Sequence, residues 1–197
     1  MNNLKMQTSD YITSGIFSLI YIVVTFVVGA ITQSNPFTFL LMPMACAFFA
    51  GPIYMLYVAK IPKRGSIMVL GLISGIISFF GGMFWMMAVC FILLGIVADC
   101  ICATGKYKSF KLNLLSYAIF SISPGGGHLA MFFLKSEFNE FMQGKGDISM
   151  FEKSINLVAE NWWVALLIAV SSVVFGIIGG LIGKKMMKKH FERAGIV

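Results

Sequence analysis

One stretch near the middle of the chain holds residue types that could form a binding site. It reads SISPGGGH over residues 121–128 and lies inside an apolar run. Proline removes a backbone donor and glycines weaken a helix, and irregular backbone is tolerated at membrane depth only where protein or a cavity satisfies it. The candidate binding residues here are Pro124, Gly125, Gly126, Gly127 and His128. The imidazole could contact a ligand or bond to a neighbouring carbonyl group, and the sequence leaves both interpretations open.

A second group of candidates lies at the ends of apolar runs. Its aromatic and amide side chains could line a pocket with apolar walls and few polar groups. Most of the aromatic residues are expected to form the aromatic belt of a membrane interface, with a subset left for the pocket. The kinking prolines of the second run add a reason to expect an irregular wall there. The candidates from this group are Asn35, Phe37, Pro43, Trp85, Asn161, Trp162 and Trp163.

The chain carries no pattern of a catalytic or metal site. It contains no GxSxG, HExxH or phosphate-binding loop, and it has only two histidines, of which His190 lies in a basic tail. The four cysteines fall in or at the ends of apolar runs and give no disulfide or zinc spacing. We therefore expect no enzyme, no bound metal and no intrinsic cofactor.

Composition indicates an integral membrane protein. Of the 197 residues, 58% are hydrophobic and 12% are charged, where a soluble domain has about 25% charged residues. The mean hydropathy is +0.88. A helix needs roughly 20 apolar residues to cross a bilayer, so this length has room for six spans and short loops. We expect a single all-α transmembrane domain covering residues 1–197.

Six transmembrane helices are predicted from the apolar runs and the breaks between them. Only Gly81-Gly82 separates the third from the fourth. The predicted spans cover approximately residues 11–32, 38–59, 65–80, 83–104, 112–134 and 161–183.

The basic residues predict that both ends of the chain lie in the cytoplasm. With six spans, 12 of the 15 Lys and Arg residues fall on one side, and cytoplasmic loops carry the excess of such residues. Because this charge is segregated by topology, we interpret it as a signal for the lipid bilayer and not for nucleic acid. The twelve are Lys5, Lys60, Lys63, Arg64, Lys106, Lys108, Lys111, Lys184, Lys185, Lys188, Lys189 and Arg193.

The longest polar segment, residues 135–160, contains a predicted surface helix. Ser149 and Glu152 have the spacing of a capping box, and apolar residues then recur at helical spacing over approximately 148–158. Such a helix could lie on the outer membrane surface. It could be a plain connector or a cap over an outward cavity, and both interpretations stay open.

Small residues and one acid predict contacts inside the bundle. Glycines four residues apart, as in Gly71/Gly75 and Gly176/Gly180, let helices approach closely. Asp99, near the end of the fourth helix, is expected to pair with a lysine or arginine of the basic loops.

With these features the chain resembles the substrate-binding S components of energy-coupling-factor (ECF) transporters. More narrowly, it resembles the MptD family of such components, also called the Trep_Strep family. The resemblance covers nearly the whole chain. It rests on the length, the six helices, Pro43 with Gly51-Pro52, the stretch 123–128 and the lysine-rich end after Gly183.

The resemblance implies an importer in the bacterial cytoplasmic membrane. The S component would capture a micronutrient outside the cell and topple in the membrane against a T component. Two cytoplasmic ATPases would hydrolyse ATP. In the wider group the first helix docks the T component through small residues, which here would be Ser14, Gly15 and Ser18.

The substrate and one alternative class stay open. A flat, largely apolar ligand fits the inferred pocket, either a vitamin or its precursor, or haem with His128 or a methionine as an axial ligand. The alternative from another class is a membrane scaffold or regulatory subunit without a small ligand. A stand-alone transporter would predict an inverted repeat, and none is evident in the sequence.

Overall fold

The helices follow the apolar runs, and the breaks between them fall at turn-forming residues. The computed structural model describes residues 6–146 and 148–193, with side chains as far as Met187. Lys5 and the side chains of Lys188, Lys189, His190 and Arg193 lie outside that part. The α-helices are α1 Thr8–Thr32, α2 Pro36–Lys60, α3 Ser66–Phe80, α4 Trp85–Thr104, α5 Phe110–Phe120, α6 Gly126–Phe133, α7 Lys135–Gln143, α8 Glu152–Glu160 and α9 Trp162–Arg193. A 3₁₀ turn, Ser123–Gly125, joins α5 to α6.

The start of α2 shows how local chemistry sets a boundary. Asn35 Oδ1 accepts hydrogen bonds from the backbone N–H groups of Phe37 and Thr38, both at 3.0 Å. Pro36 follows at the first helical position, where a missing N–H group costs nothing. The cap starts α2 directly after a tight turn, so α1 and α2 pack on each other as a hairpin.

The long helices form a ring around an aromatic core. Going round, α1 packs on α3, α3 on α4, α4 on α5, α5 on α9, α9 on α2 and α2 on α1. Tyr54 and Tyr117 are fully buried in the middle. The Tyr54 hydroxyl lies 2.6 Å from Ser116 Oγ, which itself donates to the carbonyl of Ala98 at 2.8 Å. Helices α2, α4 and α5 are thereby joined across the core.

A close crossing joins α2 to α9. A Cβ atom on Gly179 would collide with the carbonyl oxygen of Phe48, and one on Gly51 would collide with the backbone of Gly179. Pro52 has no N–H group to offer the Phe48 carbonyl, so Gly179 packs on a carbonyl that its own helix leaves free. The glycine spacing predicted such internal contacts, and Gly71, whose Cβ position is 2.5 Å from a carbonyl oxygen of α4, makes another.

The structure supports fewer spans than the six predicted. Four helices are long and apolar enough to cross a membrane: α1, α2, α4, and α9 as far as Met187. Phe110–Phe133 adds a fifth when it counts as one span with α7, which turns from it by 110°. Helix α3 has 15 residues and is about 22 Å long, whereas a bilayer core is roughly 30 Å thick. Within the described residues, four or five spans follow.

The basic loops gather at one end of the bundle, which we call the basic end. Lys63 pairs with Asp10 at 2.6 Å, which ties the loop after α2 to the start of α1. Lys184 of α9 lies 4.2 Å from the ring centre of Phe110, at the start of α5. The loops 33–35 and 81–84 and the segment 134–161 lie at the opposite end, which we call the cavity end.

Asp99 caps a helix and makes no described salt bridge, so the predicted pairing with a lysine or arginine is wrong. Its carboxylate accepts hydrogen bonds from the backbone N–H groups of Gly65 and Ile67, at 3.0 and 3.1 Å. These groups belong to the first turn of α3, which lacks a side-chain cap of its own. A φ of +88° at Gly65 explains the glycine there.

Tyr107 completes the contacts of Asp99. Its hydroxyl donates to the carboxylate at 2.9 Å from the turn between α4 and α5. Burial, and next the charge of Asp99, raise the pKa of the Tyr107 phenol, which keeps it protonated as a donor. Asp99 thus joins the start of α3 to the turn after α4.

The segment 134–160 contains two helices where one was predicted. Helix α8 begins at Glu152 with Phe151 in the capping position and no side-chain cap bond, so the predicted capping box does not start it. Helix α7 was missed. Its signal is the spacing of Phe138, Phe141 and Met142, which marks one apolar face.

The crossing of α2 and α9 gives a stability test. We expect Gly179→Ala to lower the free energy of unfolding by about 1–3 kcal/mol, because the new Cβ atom would press on backbone that cannot move away. Gly15→Ala is the matched control, since nothing lies within 4 Å of its Cβ position. Thermal unfolding in detergent measures both, and equal melting temperatures would contradict the crossing.

Candidate ligand site

The break between α5 and α6 lets the chain press against α4. Pro124 cannot donate to the carbonyl of Phe120, and the chain passes through a 3₁₀ turn before α6 starts at Gly126. A Cβ atom on Gly126 would lie 2.5 Å from the Cα atom of Met87 in α4. Only a glycine permits this approach, which brings α6 and its His128 into the bundle.

His128 satisfies a carbonyl group that Pro43 leaves unpaired. In a regular helix the carbonyl of Phe39 would accept from the N–H group of residue 43, which proline lacks. His128 Nε2 lies 2.9 Å from the Phe39 carbonyl oxygen, and the imidazole is 3% exposed. The rings of Phe39 and His128 also pack together, 4.9 Å between centres. This contact holds α6 against the outer turn of α2.

The same bond fixes the hydrogen positions on the imidazole. Because a carbonyl oxygen only accepts, Nε2 of His128 must carry the proton and donate it. In the neutral ring Nδ1 is then an acceptor. His128 can therefore serve as a buried support and still offer one acceptor nitrogen to a polar group.

A cavity of about 260 Å³ lies beside this contact at the cavity end. Its walls are mainly phenylalanine and methionine side chains from α2, α4, α6, α7 and the segment before α8. Such a surface suits an apolar ligand, and thioether side chains adapt readily to its shape. The lining residues are Gln33, Phe39, Met42, Gly82, Met83, Phe84, Met87, Pro124, Gly127, His128, Met131, Phe138, Phe141, Met142, Lys145, Gly146, Ile148 and Phe151.

Lys145 is the one charged side chain among the described residues that line the cavity. Its ammonium group donates to the carbonyl oxygen of Gly82 and lies 4.6 Å from the ring centre of Phe141. An ammonium group has three N–H donors, so Lys145 can hold Gly82 and still bind an acidic group. The charge lies at the edge of an otherwise apolar space.

The segment carrying α7 and α8 covers the cavity. Phe84 packs on Phe138 and Phe141 of α7, with ring centres 5.4 and 5.2 Å apart. Ser154 Oγ of α8 donates to the carbonyl of Pro36 at 3.0 Å. Ring contacts and individual hydrogen bonds of this kind hold the segment over the cavity, so few interactions would have to break to release it. The arrangement can enclose a small molecule.

Three of the predicted site residues line the cavity together, namely Pro124, Gly127 and His128. Gly125 packs behind them, where its Cβ position is 3.4 Å from Pro43. Pro43 contributes by leaving the Phe39 carbonyl unpaired for His128. Gly126 contributes by allowing α6 to pack closely on α4. The structure therefore brings the Pro-Gly stretch and the half of α2 at the cavity end to one place.

The remaining predicted residues lie elsewhere. Asn35 caps α2, and the side-chain amide of Asn161 donates to the Leu157 carbonyl at 2.9 Å. The four exposed aromatics do not line the cavity, as expected for a belt at a membrane interface. They are Phe37, Trp85, Trp162 and Trp163, with exposed fractions of 70, 46, 65 and 51%.

Much of the cavity wall was not among the predicted residues. Phe138, Phe141 and Lys145 line it, yet the helix predicted in the segment that carries them covered only approximately residues 148–158. The apolar face of α7 could have found the two phenylalanines, because three apolar residues at helical spacing in a polar segment need a surface to cover. No sequence signal marks Lys145.

No metal-binding cluster of three or more His, Cys, Asp or Glu residues occurs in the described part of the chain. His128 is the histidine whose described side chain could coordinate a metal ion. Its Nε2 atom is already bonded to Phe39, so coordination of haem iron through that atom would break the bond.

The predicted docking residues on α1 do not form a free face. Ser14 and Ser18 are fully buried, and Ser14 Oγ lies 2.9 Å from the Tyr57 hydroxyl of α2. Both serines face the bundle, and each hydroxyl group donates to the carbonyl four residues earlier in α1. Gly15 differs, with open space at its Cβ position.

Comparison with protein families gives a match over nearly the whole chain. A family model described as a hypothetical bacterial integral membrane protein (Trep_Strep) matches residues 8–193. No curated protein and no solved structure matches the chain.

The bond between His128 and Phe39 makes a sharp prediction. We expect His128→Ala to lower the free energy of unfolding by about 1–3 kcal/mol, because it leaves a buried carbonyl unpaired. In a Pro43→Ala background the helix itself supplies the missing N–H group, so the same substitution should cost clearly less. A double-mutant cycle of thermal or denaturant unfolding measures the difference.

The result that contradicts this account is simple additivity. If His128→Ala lowers the free energy of unfolding equally in the wild type and in the Pro43→Ala variant, the imidazole does not pair with the carbonyl that Pro43 leaves free. His128→Gln is a useful third variant, because its amide keeps a donor.

Proposed function

Since the chain belongs to the Trep_Strep family of bacterial integral membrane proteins, we propose that it is the substrate-binding S component of an ECF-type importer. In this proposal it captures a small micronutrient and delivers it by toppling against a T component. The observation that carries the proposal is the covered apolar cavity beside His128, at the end of the bundle opposite the basic loops. A multi-pass membrane protein with such a cavity is suited to binding.

The proposed orientation puts the basic end in the cytoplasm. The described basic side chains of that end include Lys63, Arg64, Lys106 and Lys184, and cytoplasmic loops are rich in such residues. Helix α3 would then be a short sixth span beside α4, with both chain ends inside. The cavity would face outward, under the cover formed by α7 and α8.

The cavity size favours a compact ligand. Its volume of about 260 Å³ lies at the lower edge of the usual range for small-molecule sites, ~300–1,000 Å³. A vitamin or vitamin precursor with one or two flat rings fits this space better than haem. Haem would also compete for the Nε2 atom that His128 uses to hold Phe39. An acidic group on the ligand would find Lys145 at the edge.

Docking of the T component would use the outward face of α1. Ser14 and Ser18 are buried, so the small-residue face of the wider group does not carry over. The outward residues Ile16 and Val23 are about half exposed, at 55 and 50%, and Gly15 adds a shallow place beside them. Two cytoplasmic ATPases would supply the energy through the T component.

Partner recovery gives one test. Affinity purification of the tagged protein from native membranes should recover a T component and two ATPases. We expect Ile16→Trp to reduce that recovery, because bulk on the outward face of α1 would block docking. Val170→Trp is the matched control on α9, since Val170 is 53% exposed and a lipid-facing Trp is tolerated.

Equal recovery with both variants would reject α1 as the docking face. A protein that purifies alone, with neither partner nor small molecule, would favour the membrane scaffold over the importer.

Ligand retention gives a second test, at the cavity itself. We expect Gly127→Leu to abolish retention of the small molecule that the wild-type protein keeps on purification, because the leucine side chain would occupy the cavity. Gly127→Ala should retain it, since its Cβ atom would meet Phe138 at an ordinary 3.8 Å. Mass spectrometry of the extracted compounds compares the three proteins.

The two Gly127 variants must melt at similar temperatures for the comparison to hold. Retention of the same compound by Gly127→Leu would place the ligand outside this cavity.

A further inference from the structure

A second depression, at the basic end, has the features of a lipid site. It is open, encloses about 760 Å³ and lies between the first turn of α1, the start of α3 and the turn after α4. Arg64 and Lys106 stand on its rim, and Tyr11, Met68 and Val69 supply apolar wall. It is separate from the cavity beside His128 and independent of the proposed transport function.

The charge of this groove is positive because three cations, Lys63, Arg64 and Lys106, outnumber the two nearby acids, Asp10 and Asp99. Asp10 pairs with Lys63 at 2.6 Å, and the Asp99 carboxylate accepts three hydrogen bonds. Arg64 and Lys106 are both exposed. Two cations with an apolar wall between them complement an anion that carries an apolar body.

Asp99 fixes the spacing of the two cations. It bonds to the backbone of Gly65, the neighbour of Arg64, and to the hydroxyl of Tyr107, the neighbour of Lys106. The backbone at Gly65, Lys106 and Tyr107 has positive φ, so the side chains of Arg64 and Lys106 extend from tight turns. Asp99 is thereby a positioning residue for the groove.

An apolar track leads away from the groove along α3. Met68, Leu72 and Ile76 recur every four residues on its outward face, with exposed fractions of 44, 43 and 46%. This spacing forms one continuous stripe. An acyl chain could lie along it from the basic end toward the cavity end.

With α3 as the short span of the orientation proposed above, its length supplies a second reason for a headgroup to sit there. At about 22 Å, from its 15 residues, it falls short of the roughly 30 Å hydrocarbon core. A short span draws the bilayer surface inward at that place. Arg64 lies two residues before the first residue of α3, where a phosphate drawn inward with the bilayer surface would meet it.

We propose that this groove binds the phosphate headgroup of an anionic phospholipid of the surrounding bilayer. Arg64 and Lys106 hold the phosphate, and one acyl chain follows Met68, Leu72 and Ile76 along α3. Basic pockets between membrane helices bind anionic headgroups in this way.

Native mass spectrometry tests the proposal with two defined lipids. The full-length protein in detergent is titrated with phosphatidylglycerol and, separately, with phosphatidylcholine. The wild type should bind one phosphatidylglycerol molecule more tightly than any phosphatidylcholine. The double variant Arg64→Gln/Lys106→Gln should bind phosphatidylglycerol roughly fivefold more weakly for each charge removed.

Lys108→Gln/Lys111→Gln is the matched control. It removes two exposed charges from the same end but none from the groove, so it should leave the tight lipid in place. Equal weakening by both double variants would overturn the proposal, since attraction would then come from general surface charge. Equal binding of the two lipids by the wild type would overturn it as well.

Two further controls keep the test decisive. If the groove double variant does not fold, the single variants Arg64→Gln and Lys106→Gln must each weaken phosphatidylglycerol binding, and unchanged binding rejects the site. If the groove variants reduce recovery of a protein partner but leave lipid binding unchanged, the groove serves that partner and the lipid proposal fails.

Discussion

The cavity end depends on one carbonyl group, that of Phe39, which Pro43 deprives of its helical partner. A carbonyl at this depth needs a donor, because unpaired backbone polar groups are costly away from water. His128 supplies it at 2.9 Å. The imidazole can reach α2 only because Pro124 and the glycines after it let α6 break from α5 and press on α4. The cavity is the space left beside this contact, closed by α7 and the segment before α8.

At the basic end, too, a buried side chain pairs with backbone groups that lack helical partners. The first turn of α3 has N–H groups without helical partners, and Asp99 of α4 accepts two of them and the hydroxyl of Tyr107. Close glycine contacts, such as Gly179 on the Phe48 carbonyl, join the two ends through the middle. Several buried polar side chains, among them His128, Asp99 and Ser116, thus complete the backbone of a neighbouring helix. The cavity and the groove lie where that backbone is irregular, beside His128 and beside Gly65.

The sequence predicted the helical membrane fold, the gathering of basic loops at one end and the broken helix in the stretch 121–128, since these follow from hydropathy, charge and Pro-Gly chemistry. Asn35 was predicted as a pocket residue and is a helix cap, because an Asn-Pro pair serves both purposes equally well in a sequence. The partner of Asp99 and the wall formed by Phe138, Phe141 and Lys145 depend on how distant segments pack, which local patterns do not encode. Whether Ser14 and Ser18 face in or out also depends on the position of Tyr57 on another helix.

The most direct test of this account is an experimental density map of the protein purified from native membranes without added ligand. The account predicts density for one compact non-protein molecule in the cavity, in contact with Gly127 and His128, with the imidazole still bonded to the carbonyl of Phe39. A cavity filled by side chains of α7, or by a lipid tail continuous with the bilayer, would contradict it.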